Sequence, residues 1–325
     1  MVTVRHVWRS LSQDRATVVI AILIAALGLG VSTAVFGVMD ALLLRMPAGI
    51  QRVSEVQRAF ILRPPRAGSE FVNAPFVSHL DLDDLAEALS DTDRIAGYAV
   101  RSVLIEIGGA VRHARVGIVT GDYFALLGVR SKRGHLLDPS SESTEGCGVV
   151  VSERLWGELV SENRESGAVR VGGRLLPISA VAAAPFRGAD LIPLDAWIGL
   201  ADAAALGLLP PLHHREAGYL AVLVRSSTGE TSRVVARLST AVRNLDEIYG
   251  VGGVDAERRV TVADLRHGSI ESDSQVRGQL VAALAAVGCA VLVLACGNLV
   301  CVQVLRAQRR EQELGTRIAL ERVMN

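Results

Sequence analysis

LVAALAAVGCAVLVLACGNLVCVQVL, Leu280 to Leu305, is a run of 26 residues without a charged side chain. At about 1.5 Å of rise per residue, a helix of this length exceeds the roughly 30 Å hydrocarbon thickness of a bilayer. Core helices of soluble proteins seldom stay uncharged on every face over more than about 20 residues. The run therefore predicts a membrane span. A second run, ATVVIAILIAALGLGVSTAVFGVM from Ala16 to Met39, holds 24 uncharged residues. It is longer than the roughly 7–15 residues of a signal-peptide core and continues through Asp40 into Leu42, Leu43 and Leu44, which favours an uncleaved anchor.

Orientation follows from the flanks. Arg5, His6, Arg9 and Arg15 precede the first run; Arg306, Arg309, Arg310, Arg317 and Arg322 follow the second. Positive charge favours the cytoplasmic side, so both termini are expected inside. The predicted organisation is a cytoplasmic N-terminus (1–15), a first transmembrane helix (16–44), an extracytoplasmic domain (45–279), a second transmembrane helix (280–305) and a cytoplasmic tail (306–325). The spans carry no buried charge, which argues against an ion relay through them. In the first, Gly28, Gly30, Ala34 and Gly37 offer small residues for helix packing, with Gly30 and Ala34 at small-xxx-small spacing; in the second, Asn298 offers a hydrogen bond to a neighbouring helix.

Composition excludes several classes. Half of the 325 residues are hydrophobic, only 4% are aromatic, and the net charge is zero, so no global basic surface points to nucleic acid. Of four cysteines, Cys289, Cys296 and Cys301 share the C-terminal apolar run and Cys147 stands alone, which rules out a disulfide framework for the central region. Zinc-ligand spacings are absent.

Residues 46–279 alternate between strand-like and helix-like stretches. Val53–Leu62 reads as a strand and Phe76–Leu89 as a helix. Val100–Ile107 and Val111–Val119 read as a hairpin across Gly108 and Gly109. Tyr219–Val224 is a further strand, Thr231–Leu245 an amphipathic helix and Arg259–Val262 a strand. With strand–helix–strand at both ends and short strands between (a β-rich insert over about 128–210), the domain is expected to be α+β with two lobes, flanked by the two transmembrane helices.

No catalytic constellation emerges. His213 and His214 are adjacent beside Pro210 and Pro211, which suits a loop. Asp81, Asp83 and Asp84 spread around a helix and read as a solvated face rather than a metal site. Ser152 and Ser179 lack the G-x-S-x-G setting, and no GxxxxGK[ST] loop occurs, so no ATP site is expected in this chain. No cofactor is expected. In the tail, Arg309, Glu313 and Arg317 recur at every fourth position as an ion-pair ladder, with Leu314 and Ile318 as an apolar pair beside it. That pattern suits a solvated helix or a short docking helix continuous with the span.

The tail and second span, LVLACGNLVCVQVLRAQRREQELGTRIAL (292–320), resemble the FtsX domain of MacB/FtsX-type ABC transporter permeases. WRSLSQDRATVVIAILIAALGLGVSTAVFGVMDALLLR (8–45) resembles the family's first helix. GDYFALLGVRSKRGHLL (121–137), VVVSERLW (149–156) and VRVGGRLLPISAVAAAPFRG (169–188) resemble its periplasmic core, in the family's order. The resemblance implies a porter-like lobe plus insert and a dimer, or a second permease subunit, in the bacterial inner membrane. It also implies a separate or fused ABC ATPase as partner, contact with membrane lipid, and a periplasmic adaptor for some members. It places Arg309, Arg310, Glu313, Leu314, Arg317 and Ile318 on the segment that contacts the ATPase. The family continues into third and fourth membrane helices, whereas this sequence ends at Asn325 shortly after the second, so a shortened or partial permease is expected. GHLL also replaces the frequent GR at 134–135.

The leading expectation is a permease subunit that transmits motion and carries out no chemistry of its own. A membrane-anchored ligand-binding or sensor module is the alternative, but only about twenty residues remain after Leu305 for a signalling element. A membrane-anchored enzyme would need a polar catalytic cluster that the sequence does not offer.

Overall fold

A computed structural model describes residues 15–39, 47–62, 76–89, 93–107, 110–141, 146–161, 167–190, 192–215, 217–226, 230–249, 258–265, 282–304 and 307. The chain divides into two units, Leu44–Glu271 and Met1–Leu43 with Ser272–Asn325.

The larger unit is organised by one ten-stranded sheet. In chain order its strands are β1 (Val56–Leu62), β2 (Asp93–Ile107), β3 (Ala110–Val119), β4 (Ser131–Gly134), β5 (Val149–Ser152), β6 (Ala168–Val171), β7 (Arg174–Ala182), β8 (Ala196–Gly199), β9 (Ala221–Ser226) and β10 (Arg259–Asp264). Their spatial order is β10-β1-β9-β2-β3-β8-β5-β7-β4, with β6 pairing β2 and β7. The unit's helices are α2 (His79–Ala88), α3 (Tyr123–Leu127), α4 (Glu153–Ser161), α5 (Leu200–Ala205) and α6 (Thr231–Tyr249); the smaller unit holds α1 (Arg15–Met39) and α7 (Ala282–Val304).

At one end of the sheet two β-α-β units interlock. β9 is antiparallel to both β1 and β2, so β1 and β2 run in the same direction with β9 between them and α2 connecting them. β1 is antiparallel to β9 and β10, so β9 and β10 are likewise parallel around β1, connected by α6. The right-handed rule for such crossovers places both helices on one face, and α2 and α6 touch each other there. α6 turns Val234, Leu238, Ala241, Val242 and Leu245 inward, a helical stripe of i, i+4, i+7, i+8 and i+11. Ser78 starts α2 by accepting a hydrogen bond from the Asp81 amide at 3.1 Å.

The other elements are inserted between β2 and β9. The long β2–β3 hairpin pairs continuously from Tyr98↔Val119 to Ile107↔Ala110 and joins the two ends of the sheet into one surface. Beyond it, β3–β8 and β5–β7 are parallel and β5–β8 is antiparallel, giving a mixed sheet and an α+β fold.

Both faces of the sheet are covered along β5, β8 and β9, which explains why these strands read as nearly continuous apolar runs. Val149 and Val151 point into one core and Val150 into the other; Ala196 and Ile198 oppose Trp197 in the same way, and Val222 and Val224 oppose Leu223. The first core lies under α2, α4, α5 and α6. The second lies under α3, Phe186, Ala189 and Leu194, where Tyr123, Phe124, Phe186 and Trp197 form an aromatic group with ring centroids 5.1–6.5 Å apart. Such edge and offset contacts add about 0.5–1.5 kcal/mol per pair to the burial of the rings themselves. Gly117 makes room for this group: a Cβ there would lie 2.6 Å from Trp197 Cδ1 and 2.9 Å from Leu194 Cδ1.

Candidate functional site

Among the described residues, α7 is the one helix long and apolar enough to cross a membrane by length and composition; α1 carries a shorter apolar stretch, Ile22–Gly37. These two helices pack closely. A Cβ built on Gly28 would fall 2.4 Å from the Ala295 Cβ, and one on Gly288 would fall 3.7 Å from Val35 Cγ1. As the contact moves up α1 from residue 28 to 35 it moves down α7 from 295 to 288, so the pair is antiparallel. Glycine at 28 is therefore a steric requirement of the crossing.

Gly30 and Gly37 meet nothing within 4 Å, and Ala34 and Asn298 are exposed on the pair. The outward surface is mainly apolar, with Leu27, Leu29, Phe36, Val293, Leu294 and Val300 all well exposed. So large an uncovered apolar surface suits hydrocarbon or further protein rather than water. Thr33 satisfies its hydroxyl within the helix by donating to the Leu29 carbonyl at 2.7 Å, as a hydroxyl in an apolar setting requires. The tail residues Arg309, Arg310, Glu313, Leu314, Arg317 and Ile318 lie outside the described residues.

In the larger unit the first and last strands are neighbours. Gln57 at the start of β1 is paired with Asp264 at the end of β10. The first strand of this unit thus begins beside the end of its last, and β1 pairs on its other side with β9 and the interlocked units.

A buried ionic joint ties the two helices of those units together. Asp81 on α2 is 1% exposed, and its Oδ2 accepts from Arg258 Nη1 at 2.7 Å. Its Oδ1 accepts from Arg215 Nη1, also at 2.7 Å, and Arg215 reaches Asp84 at 2.6 Å. Arg258 Nε donates to Asp246 Oδ1 on α6 at 2.6 Å, and the Arg215 guanidinium lies 3.8 Å from the centroid of the Tyr249 ring. Burial works against the Arg215 cation, but the hydrogen bonds to Asp81 and Asp84 outweigh it and raise its pKa. The expected solvated aspartate face is thereby corrected. Asp81 is a buried anchor, because the loop at 211–215 and the residue just before β10 bring two arginines to it. The Ser78-x-x-Asp81 spacing was the sequence signal that this aspartate is at a helix start.

On the opposite face, Arg58 is buried and lies 2.5 Å from Asp190, which also accepts from the Tyr98 hydroxyl at 2.9 Å. Burial lowers the Arg58 pKa and Asp190 partly restores it; burial also raises the Tyr123 pKa. These groups hold Ala189 and Asp190 against β1, β2 and α3. No cluster of three or more His, Cys, Asp or Glu side chains suited to a metal occurs among the described residues. Ser152 caps α4 by accepting from the Leu155 amide at 3.2 Å, and His213 and His214 lie in a turn with rings 4.5 Å apart.

Comparison with known proteins identifies the family of the central domain. The family described as the MacB-like periplasmic core domain matches residues 18–241. No curated protein matches the chain. Among solved structures, the chain is similar to the periplasmic region of MacB from Actinobacillus actinomycetemcomitans (13% identity, 71% of this chain and 94% of that one, TM-score 0.49). It is also similar to the extracellular domain of the noncanonic ABC-type transporter YknZ from Gram-positive bacteria (12% identity, 63% and 99%, TM-score 0.47). A domain assigned to a permease protein from Porphyromonas gingivalis shares the fold (11% identity, 71% and 98%, TM-score 0.50). The match of the family over residues 18–241 covers more than half of the sequence, and the chain belongs to the family of the MacB-like periplasmic core domain, found in ABC transporter permeases.

Proposed function

We propose that this chain is a permease subunit of an ABC transporter that couples ATP hydrolysis in a partner subunit to movement of its extracytoplasmic domain. It resides in the bacterial cytoplasmic membrane, crosses it twice with both termini inside, and acts on a periplasmic or membrane substrate. The observation that carries the reading is the family domain spanning residues 18–241, followed by an apolar helix at Ala282–Val304.

The physical argument is mechanical. A change in the spacing or tilt of α1 and α7 reaches the domain through two connections that end side by side on β1 and β10. The sheet passes the displacement on as a body, since each strand is hydrogen-bonded to its neighbours and β1, β5, β8 and β9 are packed on both faces. The β2–β3 hairpin delivers it to the far strands. On the cytoplasmic side Arg309, Arg310, Glu313, Leu314, Arg317 and Ile318 form the segment that contacts the ATPase. The Gly30–Ala34–Gly37 side of α1 receives another helix, from a second copy or a further permease subunit.

Copurification in detergent with the ABC ATPase encoded beside this gene tests the proposal. Capture by the wild-type chain, lost in the Arg309→Glu/Arg317→Glu double variant, is the expected result. Normal membrane insertion with no captured ATPase would withdraw the transport reading.

A further inference from the structure

Three arginines gather on the face of the sheet that carries α3, at the end where β1 begins. Arg225 of β9 is directly opposite Arg94 of β2 in the strand register, and on its other side it is opposite Val56 of β1. Like charges directly opposite one another across an antiparallel pair repel. Arg225 is only half-buried, yet its Nε is enclosed without an acceptor while its Nη2 donates to the Gln51 carbonyl.

The third arginine is brought in by backbone conformation. Arg52 has φ 48° and ψ 51°, a left-handed geometry that disfavours residues with a side chain. Its guanidinium is 75% exposed and makes one ion pair, at 3.6 Å, with Glu55. The loop that carries it is held down by the Gln51 amide donating to the Leu127 carbonyl at 3.0 Å. The arginines influence one another: Arg52 and Arg94 both oppose the charge on Arg225, Glu55 supports it, and burial, the largest cause, lowers its pKa. The neighbouring Asp93 faces the other side of the sheet and is engaged by Arg237 at 3.3 Å.

Among the described residues, then, three guanidiniums share one carboxylate on a strained loop and a repulsive strand pair. A structural role would place acids opposite these arginines, as Asp81 does for Arg258. We propose that Arg52, Arg94 and Arg225 form a binding site for a phosphate group, either the phosphodiester of an anionic lipid or free phosphate. Guanidinium forks match phosphate oxygens in geometry as well as charge. An incoming dianion or phosphodiester relieves the Arg94–Arg225 repulsion. Only residues 40–51 separate α1 from Arg52 in the sequence, which keeps a lipid headgroup among the available sources.

The test uses the full chain in a phosphate-free non-ionic detergent. Inorganic phosphate is titrated by calorimetry at fixed ionic strength, and phosphatidylglycerol or phosphatidylcholine is supplied separately in nanodiscs. Saturable binding of inorganic phosphate assigns the site to a free anion. Retention of phosphatidylglycerol over phosphatidylcholine assigns it to a lipid headgroup. In either case Arg94→Gln and Arg52→Gln are each expected to weaken binding on the order of tenfold, the loss of one charge-assisted contact. Arg94→Gln is also expected to raise the melting temperature of the anion-free chain, because it removes the repulsion; a purely structural arginine would lower it. Absence of saturable binding in both arms, or binding unchanged in both variants, overturns the proposal.

Discussion

Arg258 Nη1 lies 2.7 Å from Asp81 Oδ2, with the two side chains 3% and 1% exposed. Removing water from two opposite charges is costly, and their attraction offsets that cost only while both are present. Asp81→Ala leaves Arg258 and Arg215 facing each other without a carboxylate between them. It is expected to destabilise the chain by about 3–5 kcal/mol, read from the denaturant midpoint, whereas Asp83→Ala on the exposed side of α2 is expected to change it by less than about 0.5 kcal/mol. Equal effects of the two substitutions would contradict the joint.

This joint also marks where the sequence could and could not be read. Residues 231–245 repeat their apolar side chains at helical spacing, and the structure has a helix there that continues to Tyr249. The 100–107 and 111–119 alternation likewise lies within the observed hairpin. β2 begins earlier, at Asp93, because both faces of that stretch are covered: Ile95 enters one core while Ala96 and Tyr98 enter the other, so no polar alternation appears. The sequence around Asp81 reads as solvated because its partners are 134 and 177 residues away in the chain. The opposition of Arg94 and Arg225 is a matter of strand register across β2 and β9, which local periodicity does not contain. The family itself was legible in the stretches at 121–137, 149–156 and 169–188, which lie within the matched residues 18–241.

The aromatic group under α3 depends on the missing side chain at position 117. Gly117→Val is expected to destabilise the domain by about 1–3 kcal/mol, because the indole of Trp197 has no space to retreat. Trp197→Ala is expected to cost about 3–5 kcal/mol through the cavity it leaves. In the double variant the losses should fall short of their sum, as the smaller residue at 197 makes room for the new valine. Intrinsic tryptophan fluorescence and thermal unfolding of the full chain check the single variant; full additivity in the double would count against the contact.

Alkaline pH offers a probe of the larger unit. Burial, the largest cause, has the Tyr219 phenol pushed up to about 12 from an ordinary value of 10.0. The folded state holds this proton more tightly than the unfolded one, so the stability it contributes is fully present below pH 10 and is lost as pH rises from there to about 12. Tyr219→Phe is expected to flatten the fall of melting temperature over that interval while leaving the curve at neutral pH in place. An unchanged slope would show that the phenol is solvated.

The helix pair gives the sharpest contrast, because two glycines two residues apart lie in opposite surroundings. A Cβ at Gly28 collides with Ala295, whereas one at Gly30 meets nothing within 4 Å. Association of apolar helices in a membrane rests on close packing rather than on the hydrophobic effect, so spreading the backbones forfeits the contact. Gly28→Ile is expected to separate α1 from α7, and cysteines introduced at Val35 and Gly288 should cross-link in the parent chain and fail to do so in this variant. With the native cysteines replaced, Gly30→Ile should leave that cross-link intact. If Gly30→Ile instead abolishes assembly with another subunit while the cross-link persists, its face of α1 is the one that receives the partner helix. Loss of the cross-link in both variants would mean that the crossing at Gly28 and Ala295 is not the contact holding the pair.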